Sequence, residues 1–169
     1  MASKMINAFV GEHAFLSNFF PVDIFREEGT PVMIFPSVEN AYQASKTTDY
    51  KVRLAFVSIT AGQAKRLGRT LALREDWYAV RLRIMEELVR QKFTASANRP
   101  LTQRLLATGD AALVEGNWWG DTFWGVCEGR GSNHLGRILM QIRDELATTD
   151  TWESLGRGIV EIEPDQSGA

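Results

Sequence analysis

The segment from Phe35 to Lys46 constrains the fold more than any other part of this chain. Ser37 follows Pro36, and a serine side chain can accept hydrogen bonds from the free N–H groups of a first helical turn, so a helix is predicted to begin near Ser37. Positions three, four and seven apart lie on one face of a helix. The face predicted here carries four polar side chains: Glu39, Tyr42, Gln43 and Lys46.

Two interpretations of this face are open from the segment alone. A carboxylate, a phenol, an amide and an amine held together can carry acid–base or imine chemistry. The same residues also fit a solvent-facing helix on which Glu39 and Lys46 form a salt bridge.

Composition predicts one globular domain. The chain has 169 residues, 44% of them hydrophobic, and a net charge of −2, so no overall field favours nucleic acid or a membrane surface. A single cysteine, Cys127, excludes an intramolecular disulfide, argues against a cysteine-based metal site and fits a cytoplasmic protein. No apolar run approaches the roughly 20 residues of a membrane helix, and the N-terminus lacks the apolar stretch of a signal peptide.

Hydrophobic periodicity and capping residues predict a mainly helical α+β domain with a small N-terminal β-sheet. Strands are predicted at 5–10, 22–26 and 32–35, with a turn at 27–29 and a short extended piece at 113–115. Further helices are predicted at 51–58, after Thr60 to Gly68, from Asp76 to Phe93, from Asn98 to Gly109, and from Ser132 onward. Gly68 is expected to end its helix in the left-handed conformation. Arg83, Arg90 and Lys92 are expected on a solvated face of the long helix.

A glycine-rich loop at 117–125 contains three tryptophans and Asp121. The aromatic rings either fill the core or line a pocket for a flat ligand, and Asp121 either caps a turn or binds ribose hydroxyls. Two clusters of basic residues, at 65–69 and 129–137, are candidate phosphate sites or solvated helix ends; the second leads directly into a helix N-terminus, where N–H groups can bind anions.

Taken together, the motifs resemble the NADAR family, also known as YbiA-like N-glycosidases. The similar motifs run in order from Ala8 to Leu146: F-L-S-N-F-F-P, P-S-V-E-N-A-Y-Q-A-S-K, A-K-R-L-G-R, D-W, K-F, L-L-A-T-G, L-V-E, D-T-F-W-G and N-H-L-G-R-I-L-M. The resemblance implies a compact α+β domain at 1–150, with 151–169 as a C-terminal extension that is loosely ordered. The sequence departs from the family at Asn40, where many members carry histidine.

The resemblance also implies an activity, the hydrolysis of a bond between ribose C1 and nitrogen. Members remove ADP-ribose from guanine in nucleic acid or act on phosphoribosylamino intermediates of riboflavin synthesis. We take ADP-ribosylated guanine in DNA as the first hypothesis and the riboflavin intermediate as the second. A non-catalytic module that binds ADP-ribose or a nucleotide is the third. The resemblance calls for no metal, no organic cofactor and no membrane partner; the sequence leaves the oligomeric state open.

The site residues follow from the family motifs. The catalytic candidates are Glu39, Lys46 and Asp121. In one route Lys46 attacks C1 and forms an imine while Glu39 carries protons, and in the other a carboxylate activates water. Lys65 is the rival amine. The substrate-binding candidates are Asn18, Phe19, Tyr42, Gln43, Arg69, Trp77, Trp124, Gly125, Asn133 and Gly136.

Overall fold

The computed structural model describes residues 4–27 and 31–156, with side chains to residue 148. The helix predicted after Ser37 is present as α1, Val38–Ala44, and Ser37 Oγ accepts from the backbone N–H of Asn40 at 3.1 Å. Every residue of α1 is buried, so the interpretation as a solvent-facing helix is wrong. The Asn40 amide donates to the carbonyls of Phe56 and Ile59 at 2.9 and 2.8 Å, which anchors α1 to the segment after the next helix.

The helices surround α1 and form most of the core. They are α2 Tyr50–Leu54, α3 Ala61–Gly68, α4 Trp77–Thr94, α5 Arg99–Leu106 and α6 His134–Gly156, with short 3-10 helices at Gly11–Leu16 and Ser96–Asn98. Helix α1 packs against α3 and α4, and α4 also packs against α5 and α6. None of the described helices is long and apolar enough to cross a bilayer.

Within residues 4–27 and 31–156, the strands form three separate pairs and not one N-terminal sheet. They are β1 Met5–Ile6, β2 Ile24–Arg26, β3 Met33–Phe35, β4 Ala112–Leu113, β5 Gly116–Asn117 and β6 Val126–Cys127. Strands β2 and β3 pair antiparallel, whereas β1 pairs in parallel with β4, and β5 pairs in parallel with β6. The α+β class is confirmed; the turn predicted at 27–29 lies mostly outside the described residues.

Helix ends follow local signals with one exception. Thr60 and Gln63 form the predicted capping box of α3, and Gly109 has a φ of +59° just after α5. Gly68 is not left-handed; it is the last residue of α3, and a Cβ there would lie 1.9 Å from Gln43 Oε1. The glycine is therefore required by close packing against α1, which local sequence does not reveal.

The face of α4 predicted to be solvated is only partly so. Arg83 forms an ion pair with Glu87, but Lys92 is 1% exposed. Its Nζ donates to the carbonyl of Ser17 at 2.8 Å, and burial lowers its pKa to about 7. Lys92 therefore anchors the loop that follows the first 3-10 helix.

The division predicted at residue 150 stays a prediction. The backbone of α6 is helical to Gly156, and residues 157–169, which include most of the predicted extension, lie outside the described part of the chain.

Candidate active site

A cavity of about 620 Å³ opens between α1, α3, the loop at 17–19 and the segment after β4. Its aromatic wall consists of Phe9, Phe19, Tyr42, Trp118, Trp119 and Trp124. Its polar and charged residues include Asn18, Glu39, Gln43, Lys65, Glu115 and Asp121. A concave, largely apolar cleft with a few convergent polar groups is the usual form of a small-molecule site.

Glu39 lies in the first turn of α1 and is 6% exposed. Its Oε1 accepts from Gln43 Nε2 at 2.9 Å, and its backbone N–H donates to the carbonyl of Asn18 at 3.0 Å. Burial raises the pKa of the Glu39 carboxyl, while the hydrogen bond from Gln43 and the charges of Lys65 and Lys46 act in the opposite direction. The group can therefore exchange a proton at a pH well above that of an ordinary glutamate.

The two candidate amines differ in their access to the cavity. Lys65 is on the cavity wall, with Nζ 5.6 Å from the ring centre of Phe19 and 5.3 Å from that of Trp119. Lys46 does not line the cavity; α1 ends at Ala44, and the Lys46 Nζ donates to the carbonyl of Gly68 at 3.3 Å. Burial lowers the pKa of Lys46.

Asn18 and Gln43 line the cavity and carry unused acceptors. Asn18 Nδ2 contacts Met85 Sδ at 3.3 Å, and Asn18 Oδ1 has no hydrogen-bond partner within the described residues. The same holds for Gln43 Oε1, which faces the space left by Gly68. The Asn18 acceptor is available to an N–H or O–H group of a ligand, whereas the Gln43 acceptor packs against α3 at Gly68.

Of the two tryptophans predicted to bind substrate, Trp124 lines the cavity and Trp77 packs behind it. Trp124 lines the cavity edge-on to Tyr42, with 5.4 Å between ring centres. Trp77, predicted as a wall, is 4% exposed and lies against Tyr42 at 5.1 Å without lining the cavity. Arg69 is exposed and also lies away from the cavity wall, so direct contacts of Trp77 and Arg69 with a ligand are not supported.

Asp121 combines the two roles considered for it. Its Oδ1 accepts from the backbone N–H groups of Phe123 and Trp124 at 3.1 and 2.9 Å, so it caps the turn of the tryptophan-rich loop. The residue also lines the cavity. One carboxylate oxygen is therefore used by the loop itself.

Glu115 is the functional candidate that the sequence analysis missed. It lines the cavity, burial raises its pKa to about 7, and Asp121 and Glu39 act in the same direction. Its Oε2 is buried and has no hydrogen-bond partner in the described part of the chain. The available signal was the motif L-V-E-G, in which a carboxylate directly follows a buried extended segment.

Three residues predicted to bind substrate instead hold the backbone around Glu115. Asn133 Oδ1 accepts from the N–H of Glu115 at 3.0 Å, and its Nδ2 donates to the carbonyl of Leu113 at 2.9 Å. A Cβ at Gly125 or Gly136 would lie 2.1 Å from the carbonyl oxygen of Glu115 or Leu113, respectively. Gly125, Asn133 and Gly136 do not line the cavity, so their roles are in close packing and positioning.

The N-terminus of α6 is not an open phosphate site. The N–H groups of residues 132, 133, 134 and 135 donate to the carbonyls of residues 122, 125, 123 and 124. Arg130 and Arg137 are exposed on either side of this junction. The donors that the sequence pattern offered to an anion are thus used to attach the tryptophan-rich loop to the helix.

Comparison with known proteins agrees with this geometry. The family model described as the NADAR domain matches residues 8–147. The chain belongs to the NADAR family. Its match to a riboflavin biosynthesis protein of Vibrio vulnificus is 44% identical over 138 residues, which are 79% of this chain and 36% of that protein. The chain therefore spans about a third of the Vibrio relative.

Two further relatives are covered more fully. An N-glycosidase of Nostoc punctiforme is 39% identical over 137 residues, which are 77% of this chain and 83% of the relative. The NMR structure of the Escherichia coli protein YbiA matches with a TM-score of 0.74 at 32% identity, over 89% of each chain. The fold described above is thus the fold of YbiA.

In this NADAR protein, Gly136→Ala is expected to lower the free energy of unfolding by about 2 kcal/mol. The added methyl group collides with the Leu113 carbonyl oxygen and the Asn133 side chain, and such overpacking costs ~1–3 kcal/mol, offset by the better helix propensity of alanine. Gly62→Ala in α3 is the matched control, because the nearest atom would be 3.8 Å away. Urea denaturation of both variants tests this; equal midpoints for Gly136→Ala and wild type would contradict it.

Proposed function

We propose that this NADAR protein is an N-glycosidase that hydrolyses the bond between a ribose C1 and a nitrogen atom. The observation that carries the proposal is a cavity lined by two carboxyl groups of raised pKa, Glu39 and Glu115, and by an amine, Lys65. Cleavage of an N-glycoside requires that the departing nitrogen gain a proton while C1 is attacked. The names of the Nostoc relative and of YbiA in several bacteria, N-glycosidase, support the same reaction.

For the attack on C1 we propose an imine route with Glu39 as proton carrier. The lysine nitrogen forms a bond to C1, the sugar ring opens, the base departs, and water hydrolyses the imine. The motif pattern assigned the amine to Lys46. Access to the reacting atoms is the first requirement for a nucleophile, and Lys65 lines the cavity whereas Lys46 does not. We therefore assign the attack to Lys65, with Lys46 as the competing assignment.

As substrate we propose guanine that carries ADP-ribose in single-stranded DNA. Three aromatic side chains at the cavity wall are left open to solvent: Trp118 is 87%, Trp119 47% and Phe19 41% exposed. Bases of a single strand stack on such side chains. A rim of this kind supports a substrate that extends from the cavity into solvent, where a base of the strand can stack on the open face of Trp118.

Trp118→Ala is expected to raise the KM for an ADP-ribosylated oligonucleotide by about 10-fold, because a stacked base contributes ~1–3 kcal/mol. The KM for ADP-ribosylated guanosine alone should be unchanged. Tyr78→Ala is the matched control, since Tyr78 is 71% exposed but does not line the cavity. Steady-state kinetics on the two substrates test this, and an equal effect on both would argue against a strand that stacks on Trp118.

A phosphoribosylamino-pyrimidine intermediate of riboflavin synthesis is the second candidate substrate. The observation that favours it is the name of the Vibrio relative, a riboflavin biosynthesis protein. A phosphoribosyl group and one pyrimidine ring are small enough for a cavity of about 620 Å³.

One experiment separates these candidates. The purified protein is incubated with the ADP-ribosylated oligonucleotide and, separately, with the riboflavin intermediate, and base release is followed by mass spectrometry. Release from DNA supports the first substrate, and release only from the small intermediate supports the second. Binding of ADP-ribose without release from either would contradict the enzyme proposal and leave a non-catalytic binding module.

A further inference from the structure

An imine route needs two proton transfers around C1, and the proposed function so far supplies one carrier. The lysine amine has two protons to lose. One must reach the ring oxygen as the sugar opens, and the departing nitrogen must gain another. Each transfer requires a group within hydrogen-bond reach of the atom concerned. Direct attack by water likewise needs both a base and an acid.

We propose that Glu115 is the second catalytic residue, the acid that protonates the departing nitrogen. This inference rests on the proposed N-glycosidase function and adds a residue to it. Glu115 lines the same cavity as Glu39 and Lys65, and its Oε2 has no hydrogen-bond partner among the described residues. A buried carboxyl oxygen without a partner is destabilising, so its position needs support from the surrounding structure.

The backbone of Glu115 has that support. Its N–H donates to Asn133 Oδ1 at 3.0 Å, and its carbonyl accepts from the N–H of Val126 at 2.9 Å. Gly125 packs against it so closely that a Cβ would lie 2.1 Å from the Glu115 carbonyl oxygen. A proton donor must be held within a few tenths of an ångström of its working position, and these contacts fix the base of the side chain.

The hydrogen bonds of the two glutamates favour different roles. Burial raises the pKa of Glu39 and the hydrogen bond from Gln43 Nε2 opposes that effect, so we assign to Glu39 the transfer of protons from the amine. Glu115 has no such donor, and burial together with Asp121 brings its pKa to about 7. A carboxyl whose pKa lies near neutral pH keeps a protonated fraction there and can act as an acid.

Other groups near the cavity are less suited to this transfer. Asp121 already accepts two backbone hydrogen bonds through Oδ1, so that oxygen is engaged by the loop. Lys92 donates to the Ser17 carbonyl and does not line the cavity. Among the cavity carboxyls of the described residues, Glu115 is thus the one with a buried oxygen that has no hydrogen-bond partner.

The proton balance closes with Glu115 and Glu39 together. Glu115 gives its proton to the nitrogen as the electron pair of the C1–N bond moves onto that nitrogen. Glu39 passes one amine proton to the ring oxygen, and the second amine proton restores Glu115 as the imine forms. Water then adds its oxygen to C1, and its two protons return to the lysine nitrogen. No oxidant, reductant or further reactant is consumed.

The test compares Glu115→Gln with wild type on two substrates: ADP-ribosylated guanosine, and ADP-ribose joined through C1 to 4-nitroaniline, a better leaving group. Glu115→Gln should lower kcat by about 10²- to 10³-fold on guanosine and by less than about 10-fold on the nitroaniline compound. Glu39→Gln is the control, and its kcat should fall by the same factor on the two substrates. Wild-type kcat should fall as pH rises through about 7, because Glu115 then loses its proton.

Each outcome bears on one claim. If Glu115→Gln keeps activity within about threefold of wild type, or loses it equally on both substrates, Glu115 is not the acid. If the variant does not fold, the wild-type pH profile still decides, since a flat profile from pH 6 to 9 would overturn the assignment. If wild type cleaves neither compound, the N-glycosidase function itself fails, which is a different result.

Discussion

Glu39→Gln is expected to lower kcat for base release by about 10³-fold while the fold remains intact. Glutamine has nearly the same size, and its amide oxygen can still accept from Gln43 Nε2, so the hydrogen bond within α1 is preserved. What is lost is the ability to take and return a proton. Steady-state kinetics with circular dichroism as a folding check would measure this. Glu75→Gln, at an exposed position, is the matched control and should behave as wild type.

The stability of Glu39→Gln provides an independent readout. Because burial raises the pKa of Glu39, ionising it costs more in the folded protein than in the unfolded chain. In the unfolded chain the pKa of Glu39 is near 4.5, and below that pH the cost is absent because the carboxyl is protonated in both states. The cost grows as the pH rises above 4.5. The melting temperature of the variant relative to wild type should therefore increase between pH 4 and pH 8.

A Glu39→Gln variant that retains more than about a tenth of wild-type activity would contradict a catalytic role for Glu39.

Lys65→Met is expected to lower kcat by about 10³-fold, and Lys46→Met by less than about 10-fold. Methionine keeps most of the aliphatic side chain and removes the amine that an imine requires. Lys65 lines the cavity, whereas Lys46 donates to the Gly68 carbonyl outside it. The pair is a matched comparison of two neighbouring lysines, and rates of base release for both variants measure it.

Borohydride reduction during turnover identifies the amine directly. We expect a sugar adduct on Lys65, located by peptide mass spectrometry. An adduct on Lys46, together with activity in Lys65→Met, would restore the assignment that the motif pattern made. Turnover without any adduct would replace the imine route with direct attack by water.

Part of the active site could be predicted from α1 alone. Ser37 caps the helix as expected, and Glu39, Tyr42 and Gln43 line one cavity because their spacing places them on one face. Lys46 was assigned to the same face by its seven-residue spacing. The helix ends at Ala44, so that geometric relation no longer holds at Lys46.

Glu115 could not be identified in the same way. Its position depends on Asn133, 18 residues later in the chain, and on close contact with Gly125. The motif residues Gly125, Asn133 and Gly136 were visible in the sequence, but their contacts were not. They were therefore assigned to the substrate, although in the structure they contact the backbone of Leu113 and Glu115.

The sequence by itself determined several of the helix boundaries. Ser37, the Thr60–Gln63 capping box and Gly109 act through hydrogen bonds and dihedral angles a few residues away, so local patterns predict them. Only the tertiary structure decided that α1 is buried, that Lys65 reaches the cavity, that Gly68 serves packing and that Lys92 is enclosed. Each of these depends on contacts between distant segments, such as the bond from Lys92 to Ser17 across 75 residues, and burial then sets which groups can exchange protons near neutral pH.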